Sequence, residues 1–320
     1  MIVAETITET RRILRQARQG GKTVGLVPTM GALHAGHTSL IDAARNECGV
    51  VVVSIFVNPT QFGPGEDFEK YPRTPEADLA LCEQHGAAVV FAPGAEEMYG
   101  PENVSRASGP RVPRASRPRD DCMIRGQDGR DTRGQDARDT TILTTVSVAK
   151  LSETLCGRRR PGHFAGVCTV VTKLFNITQP DRAYFGEKDY QQAAILRRMA
   201  ADLNMPVQIV ACPIVREADG LAMSSRNVYL SAGERKQAPA LYAALQKARD
   251  LVRQDHPPVE DVIRAIREKI TAEAPLGEID YVQLVDPDTL QDVTSTAQPV
   301  QAALAVRFGG ARLIDNLRLG

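Results

Sequence analysis

Two histidines, His34 and His37, lie in a segment that joins the apolar run 24–27 to a stretch with helical spacing. Backbone N–H groups at the start of a helix, helped by the positive end of the helix dipole, bind anions at the carboxyl edge of a parallel sheet. Two imidazoles on the first turn would add donors aimed at a phosphate, and Gly31 and Gly36 would let the backbone approach it closely. The alternative is that both are polar helix-start residues, because short motifs recur by chance.

A second polar cluster, at 186–192, again lies where a predicted strand leads into a helix. Lys188 would supply a mobile positive charge for a phosphate, and Asp189 could accept hydrogen bonds from ribose hydroxyls. Gln192, one helical turn further on, offers an amide to a polar substrate. The competing interpretation is a charged N-terminal cap, a common use of acidic residues at helix starts.

Two further clusters follow strands or lie in loops beyond them. Ser224, Ser225 and Arg226 place two hydroxyls and a guanidinium in succession, which would clamp an oxyanion, although serine-rich loops are often only turns. Asn58 and Gln61 follow the most apolar predicted strand and could line a pocket, or they could form a strand-ending turn.

These four clusters share one position in the predicted topology. Each falls at the carboxyl end of a predicted strand or in the loop just beyond it, which is where an open α/β sheet assembles a ligand site. One shared active site therefore explains the pattern better than four separate turns.

The elements that would position this site alternate between short apolar runs and amphipathic segments, which predicts a parallel sheet covered by helices. The expected strands are residues 24–27, ended by Pro28, then 50–57, 88–91, 142–146, 183–185 and 208–211. The expected helices begin near 34–38 and cover 74–85, 167–177 and 189–202.

The pattern changes beyond about residue 215. Two long amphipathic helices, 232–254 and 259–273, precede strands at 281–285 and 302–308. We therefore expect a Rossmann-like α/β domain over 1–214 and a smaller α+β C-terminal lid domain over 215–320.

Bulk composition excludes several classes of protein. The 39 basic and 39 acidic residues give a formal charge of zero, so nothing global favours nucleic acid or an anionic membrane as a partner. The six cysteines form no close pair of the kind that zinc or redox sites use, which favours reduced thiols and a cytoplasmic location. No signal peptide and no apolar stretch of about 20 residues is recognisable.

Residues 106–140 depart from this pattern, since they are rich in Arg, Asp, Gly and Pro and contain a tandem eight-residue repeat, 125–132 and 133–140. Such a segment buries too little apolar surface to offset the entropy of ordering it, so we expect a disordered surface insertion. The rival interpretation is a basic arm for nucleic acid, but the repeat mixes Asp with Arg and has no aromatic residue to stack on bases.

With these features in place, the chain resembles the pantothenate synthetase family, within the wider nucleotidyltransferase group that includes class I aminoacyl-tRNA synthetases. The resemblance covers nearly the whole chain except 106–140. It rests on blocks in the family's order: VPTMG (27–31), HAGH (34–37), SIFVNP (54–59), YPRT (71–74), RPGHF (160–164), FGEKD (185–189), SSRN (224–227) and ARLIDN (311–316).

The resemblance implies an ATP-dependent ligase that joins pantoate to β-alanine through a pantoyl-adenylate. It implies pantoate at Gln61, Gln192 and Asn58, β-alanine at Gln61, Mg²⁺ on the ATP phosphates with Asp78 as a protein contact, and a homodimer. It implies catalytic roles for His37, the proton donor, and for His34, Lys188, Ser224, Ser225 and Arg226. The implied ATP-binding residues are Met30, Gly31, Ala32, Leu33, His34, Ala35, Gly36, His37, Gly186, Glu187, Lys188, Asp189, Val215, Met223, Ser224, Ser225 and Arg226.

Two rival enzyme-like interpretations stay open. Another adenylate-forming or nucleotidyl-transferring enzyme on the same fold would share the HAGH turn but should lack the paired glutamines Gln61 and Gln192. A catalytically inactive nucleotide sensor is disfavoured by the intact His37 and Lys188.

The insertion gives the first testable prediction. Replacing residues 106–140 with a short Gly-Ser linker should leave catalysis and the melting temperature nearly unchanged, because surface connections tolerate long insertions at about 0.6 kcal/mol per doubling of length. The measurement compares kcat, KM and thermal unfolding of the two proteins. A tenfold loss in kcat/KM, or a melting point lowered by many degrees, would contradict it.

Overall fold

A six-stranded parallel sheet forms the larger part of the molecule. The computed structural model describes residues 1–100 and 143–320, and the predicted insertion at 106–140 lies outside these described residues. The strands follow the order β1-β4-β3-β2-β5-β6. Their bounds are β1 Ile2–Ala4, β2 Val24–Thr29, β3 Val50–Ile55, β4 Val89–Phe91, β5 Arg182–Gly186 and β6 Gln208–Cys212.

Helices cover both faces of this sheet, as expected for a parallel sheet. In β3, Val50 and Val52 pack on one face, and Val51 and Val53 pack on the other. The helices of this part are α1 Ile7–Gln19, α2 Ala35–Glu47, α3 Pro75–Gln84, α4 Ala95–Tyr99, α5 Leu155–Arg159, α6 His163–Thr178 and α7 Tyr190–Asp202. Short 3-10 helices lie at Pro59–Gln61, Leu151–Glu153 and Glu187–Asp189. The predicted α/β class is therefore confirmed.

The prediction that Pro28 ends its strand is wrong. β2 continues through Pro28 to Thr29 and pairs with β3 along its whole length, whereas its pairing with β5 stops at Leu26. The carbonyl of Val24 accepts from the N–H of Asp181, on the side of β5. Backbone groups of successive strand residues point to opposite sides, so those of residue 28 point to the same side as those of Val24. The N–H that proline lacks would therefore point towards β5, which is not paired with β2 at this position, so no hydrogen bond of the sheet is lost.

A three-stranded antiparallel sheet, in the order β7-β8-β9, forms the C-terminal part. Its strands are β7 Gly277–Val285, β8 Val300–Phe308 and β9 Ala311–Leu319, and β9 was not predicted as a strand. The helices are α8 Ala232–Gln237, α9 Ala240–Asp255 and α10 Val259–Glu273, preceded by a 3-10 helix at Ser225–Tyr229. The predicted long helix 232–254 is thus two helices, because Pro239 cannot donate within a continuous helix.

Other differences lie at edges and connections. β1 was not predicted, because three residues show too short a pattern, yet it pairs with β4 at the sheet edge. In the predicted strand 142–146, residues 143–146 have no strand structure, and Leu143 is 96% exposed. Within 1–100 and 143–320, the five cysteines are unpaired and no helix is long and apolar enough to cross a membrane. The predicted division at 214/215 stays a prediction.

Candidate active site

The four polar clusters predicted from the sequence meet in one place, beyond the carboxyl ends of β2, β3 and β5. They line a cavity of about 220 Å³ that continues into a second cavity of about 640 Å³, and Lys188, Ser224 and Arg226 border both. The predicted site residues that line the smaller cavity are Met30, His34, Gly36, His37, Asn58, Gln61, Gly186, Lys188, Asp189, Gln192, Val215, Met223, Ser224, Ser225 and Arg226.

The remaining predicted residues lie behind this lining. Gly31, Ala32 and Leu33 form a tight turn between β2 and α2, with φ of +83° at Gly31 and +50° at Ala32. Ala35 and Glu187 also lie outside the lining of both cavities. These backbone positions therefore shape the site without presenting side chains to it.

Asp78, a buried residue of α3, holds that turn. Its Oδ2 accepts from the N–H of Ala32 at 2.9 Å, and its Oδ1 accepts from the N–H of Leu33 at 2.8 Å and the hydroxyl of Thr74 at 3.0 Å. A Cβ at position 31 would lie 2.9 Å from Oδ2, so Gly31 is required by this close approach as well as by its positive φ. The conformation of the turn 31–33 is thereby fixed by a side chain of α3.

The two histidines have defined tautomers because backbone N–H groups occupy one nitrogen of each. His34 caps α2, and its Nδ1 accepts from the N–H of Gly36 at 3.1 Å. The Nδ1 of His37 accepts from the N–H of His34 at 3.3 Å, and the two ring centroids are 4.1 Å apart. Each neutral ring therefore carries its hydrogen on Nε2, which leaves one donor per ring for a ligand in the cavity.

Both rings are neutral at pH 7. Burial lowers the pKa of His34 to about 4, with Lys188 as the next cause, and burial followed by His34 and Lys188 lowers that of His37 to about 3. Desolvation and neighbouring positive groups both disfavour the imidazolium. These residues are therefore hydrogen-bond donors without charge, and the fixed positive charges come from Lys188 and the arginines.

The carboxamides form a second group of polar side chains at the cavity. Asn58 donates from Nδ2 to Oε1 of Gln61 at 3.1 Å and accepts from the hydroxyl of Tyr99 at 2.6 Å. Gln61 is buried, and Gln192 borders the same cavity from α7. Apolar side chains complete the lining: Pro28, Leu40, Phe56, Phe62, Val167, Val170, Val171, Leu174 and Phe185. The lining suits a small ligand with both polar and branched apolar parts.

Arg226 has an acidic partner at the site. Its Nε and Nη2 donate to the two carboxylate oxygens of Asp67 at 2.7 and 3.0 Å, which is a bidentate pair. The adjacent Ser225 contacts the hydroxyl of Tyr71 at 3.1 Å, and Ser224 caps its own 3-10 helix by accepting from the N–H of Arg226. The loop 63–71 thus reaches across the site to the C-terminal part of the chain.

A second arginine, Arg160, was quoted in the RPGHF block but was not predicted in the site. It donates to both oxygens of Glu66 at 2.7 and 2.6 Å. Burial opposes ionisation of Glu66, but Arg160 outweighs it and lowers the pKa of that carboxyl to about 2. Neither acid could be found from the sequence, because each partner lies at least 94 residues away.

His163 was also missed. Its Nδ1 lies 2.8 Å from the carbonyl of Gln61 and its Nε2 lies 3.0 Å from Nη1 of Arg160. Burial, followed by Arg160, lowers the pKa of His163 to about 3. The neutral ring therefore donates from Nδ1 to Gln61 and accepts from Arg160 on Nε2, supporting the backbone of a predicted ligand-binding residue.

The predicted metal contact does not fit these surroundings. Both carboxylate oxygens of Asp78 are taken by N–H and O–H donors of the turn it supports. In the part of the chain that the structure describes, no group of three or more His, Cys, Asp and Glu side chains is placed to hold a metal ion. Asp78 is therefore better explained as a structural support, and its role as a metal contact stays untested.

Comparisons with known proteins agree on one family. The family model for "Pantoate-beta-alanine ligase" matches residues 2–318. The chain is 46% identical to a protein of Acetivibrio thermocellus named pantothenate synthetase, over 99% of each chain. It is similar to the crystal structure of pantothenate synthetase from Thermus thermophilus, with a TM-score of 0.82, 43% identity and 99% of each chain covered. A Francisella tularensis ligase, titled as complexed with β-γ ATP and β-alanine, matches with a TM-score of 0.71 and 30% identity, over 99% of this chain and 97% of that one.

The histidine geometry predicts an unusual titration. In the ligand-free protein, the ring signals of His34, His37 and His163 in NMR spectra should stay unchanged from pH 8 to about 5.5, because their pKa values are lowered to about 4, 3 and 3. The same rings in urea should titrate near 6.5. The unfolded chain therefore takes up protons first, so the native state should lose stability as pH falls below about 6.5.

Assignment by single His→Gln variants identifies each signal in these spectra. A midpoint near 6.5 for any of the three rings in the folded protein would contradict the buried, neutral arrangement at that residue.

Proposed function

The chain belongs to the pantoate-beta-alanine ligase family, and from this membership we propose that it condenses pantoate with β-alanine to give pantothenate, AMP and pyrophosphate from ATP. One observation carries the proposal. A single cavity is lined by a carboxamide pair, an apolar wall, an imidazole pair, Lys188 and Arg226. In the proposed complex, the carboxamides and the apolar wall form one end of the cavity and the other groups form the second end.

Pantoate fits the first end by its chemistry. The molecule carries a carboxylate, two hydroxyls and a dimethyl-substituted carbon. Gln61 and Gln192 offer both donors and acceptors for the hydroxyls, and the α6 side chains Val167, Val170 and Val171 offer a branched apolar surface for the methyl groups. Asn58 supports this set by holding Oε1 of Gln61, which fixes the orientation of that amide.

ATP would occupy the second end, with its phosphates between the HAGH turn and the segments at 186–189 and 223–226. The two Nε2–H donors, which the backbone N–H groups at the start of α2 hold in place, suit phosphate oxygens, and Lys188 adds the compensating charge. Asp189 would accept from ribose and the backbone at Val215 would meet the adenine. Mg²⁺ would arrive on the ATP phosphates as part of the substrate.

The first step needs no general base, because the pantoate carboxylate is ionised at pH 7. One carboxylate oxygen attacks the α-phosphorus, the bond from that phosphorus to the bridging oxygen breaks, and pyrophosphate leaves with the electron pair. Positioning and cancellation of the growing charge lower this barrier. His37, whose pKa is lowered to about 3, would act here by a hydrogen bond from Nε2 and not as a cation.

In the second step the free amine of β-alanine, positioned in part by Gln61, attacks the carbonyl carbon of the pantoyl-adenylate. The C–N bond forms, the C–O bond to AMP breaks, AMP takes the electron pair, and the nitrogen loses a proton. Water must be kept from the adenylate meanwhile. The loop 63–71, tied by Asp67 and Tyr71 to the segment at 225–226, and the C-terminal part are suited to cover the cleft.

Another adenylate-forming enzyme on the same fold is the alternative. Gln61 and Gln192 border the same cavity. This pair of amides favours the proposed substrate over a ligand with a different pattern of polar groups. The homodimer implied by the resemblance and the cytoplasmic location expected from the cysteines stay predictions.

The products test the proposed reaction. With ATP, pantoate and β-alanine together, the enzyme should release AMP and pyrophosphate in equal amounts, and omission of any one substrate should stop AMP release. Exchange of labelled pyrophosphate into ATP should require pantoate but not β-alanine, because the adenylate forms before the amine attacks. ADP and phosphate as products, or exchange that needs β-alanine, would count against it.

Variants test the residues. Lys188→Ala and His37→Ala should each lower kcat by roughly a hundredfold or more with the fold intact, since such electrostatic contacts are worth several kcal/mol in the transition state. His37→Gln, which keeps a donor near the Nε2 position, should lose less than His37→Ala. His85→Ala is the matched control, because His85 pairs with Asp42 outside the cavity lining. Near-normal turnover of either alanine variant would remove that residue from the mechanism.

A further inference from the structure

The ARLIDN block at 311–316 is part of the resemblance and lies outside the four polar clusters of the site. It begins β9, and Asn316 within it is only 5% exposed. The Nδ2 of Asn316 donates to the carbonyls of Glu187 and Lys188, both at 3.0 Å. These carbonyls belong to the 3-10 turn Glu187–Asp189, which precedes α7 in the larger part of the molecule.

The orientation of this amide is fixed by a second buried side chain. Gln301, in β8 and 2% exposed, donates from Nε2 to Oδ1 of Asn316 at 2.8 Å. A flip of the Asn316 amide would break this bond and turn its oxygen towards two carbonyls. Both donors of Asn316 are therefore committed to the turn that carries Lys188.

The Lys188 side chain has only a long contact with its acidic neighbour. Its ammonium lies 3.8 Å from Asp189, beyond hydrogen-bond distance, and a lysine side chain is flexible. The position of the ammonium in the cavity thus depends on where the backbone of the turn is held.

Asp315, the residue before Asn316, holds the segment 216–220 in a similar way. Asp315 forms a bidentate pair with Arg216 at 2.7 and 2.9 Å, and Arg216 donates to the carbonyl of Gly220 at 3.1 Å. That segment leads directly to Met223–Arg226. Two consecutive residues of β9 therefore hold the turn that carries Lys188 and the segment that leads to Arg226.

We propose that Asn316 is a positioning residue for Lys188, through which the C-terminal sheet sets the place of the catalytic ammonium. The inference rests on the proposed role of Lys188. A displacement of about 1 Å of a group that stabilises the transition state can lower the rate a hundredfold. The effect of losing Asn316 should therefore pass through Lys188 and spare the pantoate end of the cavity.

The experiment is a double-mutant cycle of Asn316→Asp with Lys188→Ala, assayed by AMP formation at high enzyme concentration. Asn316→Asp keeps the shape and removes both donors. It should lower kcat/KM for ATP by roughly 10- to 100-fold, leave KM for pantoate within about twofold, and have less than about a twofold effect when Lys188 is already alanine. Gln283→Ala is the control, because Gln283 bonds Asp292 within the same sheet and does not contact the 187–189 turn.

The outcomes separate the two proposals. Wild-type activity of Asn316→Asp, or an equal loss in both backgrounds, would overturn the positioning role while the reaction assignment stands. Near-normal activity of Lys188→Ala would overturn the role of Lys188 and this inference with it. If Asn316→Asp fails to fold, Gln301→Leu replaces it in the cycle, with an expected loss of about 3- to 10-fold judged by the same criteria.

Discussion

One buried carboxylate, that of Asp78, fixes the turn that leads to the two histidines of the site. Its bonds to the N–H groups of Ala32 and Leu33 stabilise two consecutive residues at positive φ, one of them not a glycine. Without that compensation the backbone strain at Ala32 would favour another path of the chain. His34 would then no longer cap α2, and the bond that fixes the tautomer of His37 would be lost.

The charges of the site are balanced from within. Glu66 and Asp67 of one loop neutralise Arg160 and Arg226, so neither guanidinium faces the cavity unpaired. An anionic ligand of Arg226 would therefore share this guanidinium with the Asp67 carboxylate. Tyr71 and Asp67 also attach the loop 63–71 to Ser225 and Arg226, so the same contacts join two parts of the site that are distant in sequence.

The sequence predicts those features that depend on local pattern. The β-branched run of β3 and the helical spacing after His37 were enough for the parallel sheet, and the strand ends placed the four polar clusters at one cavity. The family resemblance is confirmed by the match over 2–318. The acids at 66 and 67 and His163 were missed, because what defines them is a partner far away in the chain. The β9 strand was missed although only Gly309 and Gly310 separate it from its partner β8. No local pattern records the bond from Asn316 to the carbonyl of Lys188.

Pro28 in β2 affects how β2 and β5 stay apart beside the cavity. Beyond Leu26, β2 remains paired with β3 but is no longer paired with β5, and Pro28 and Thr29 of this stretch line the cavity. If β2 and β5 paired further, the next hydrogen bond in the ladder would need the N–H of residue 28, and proline has none. Pro28 therefore disfavours closure of the sheet at the edge where its own ring lines the binding cavity.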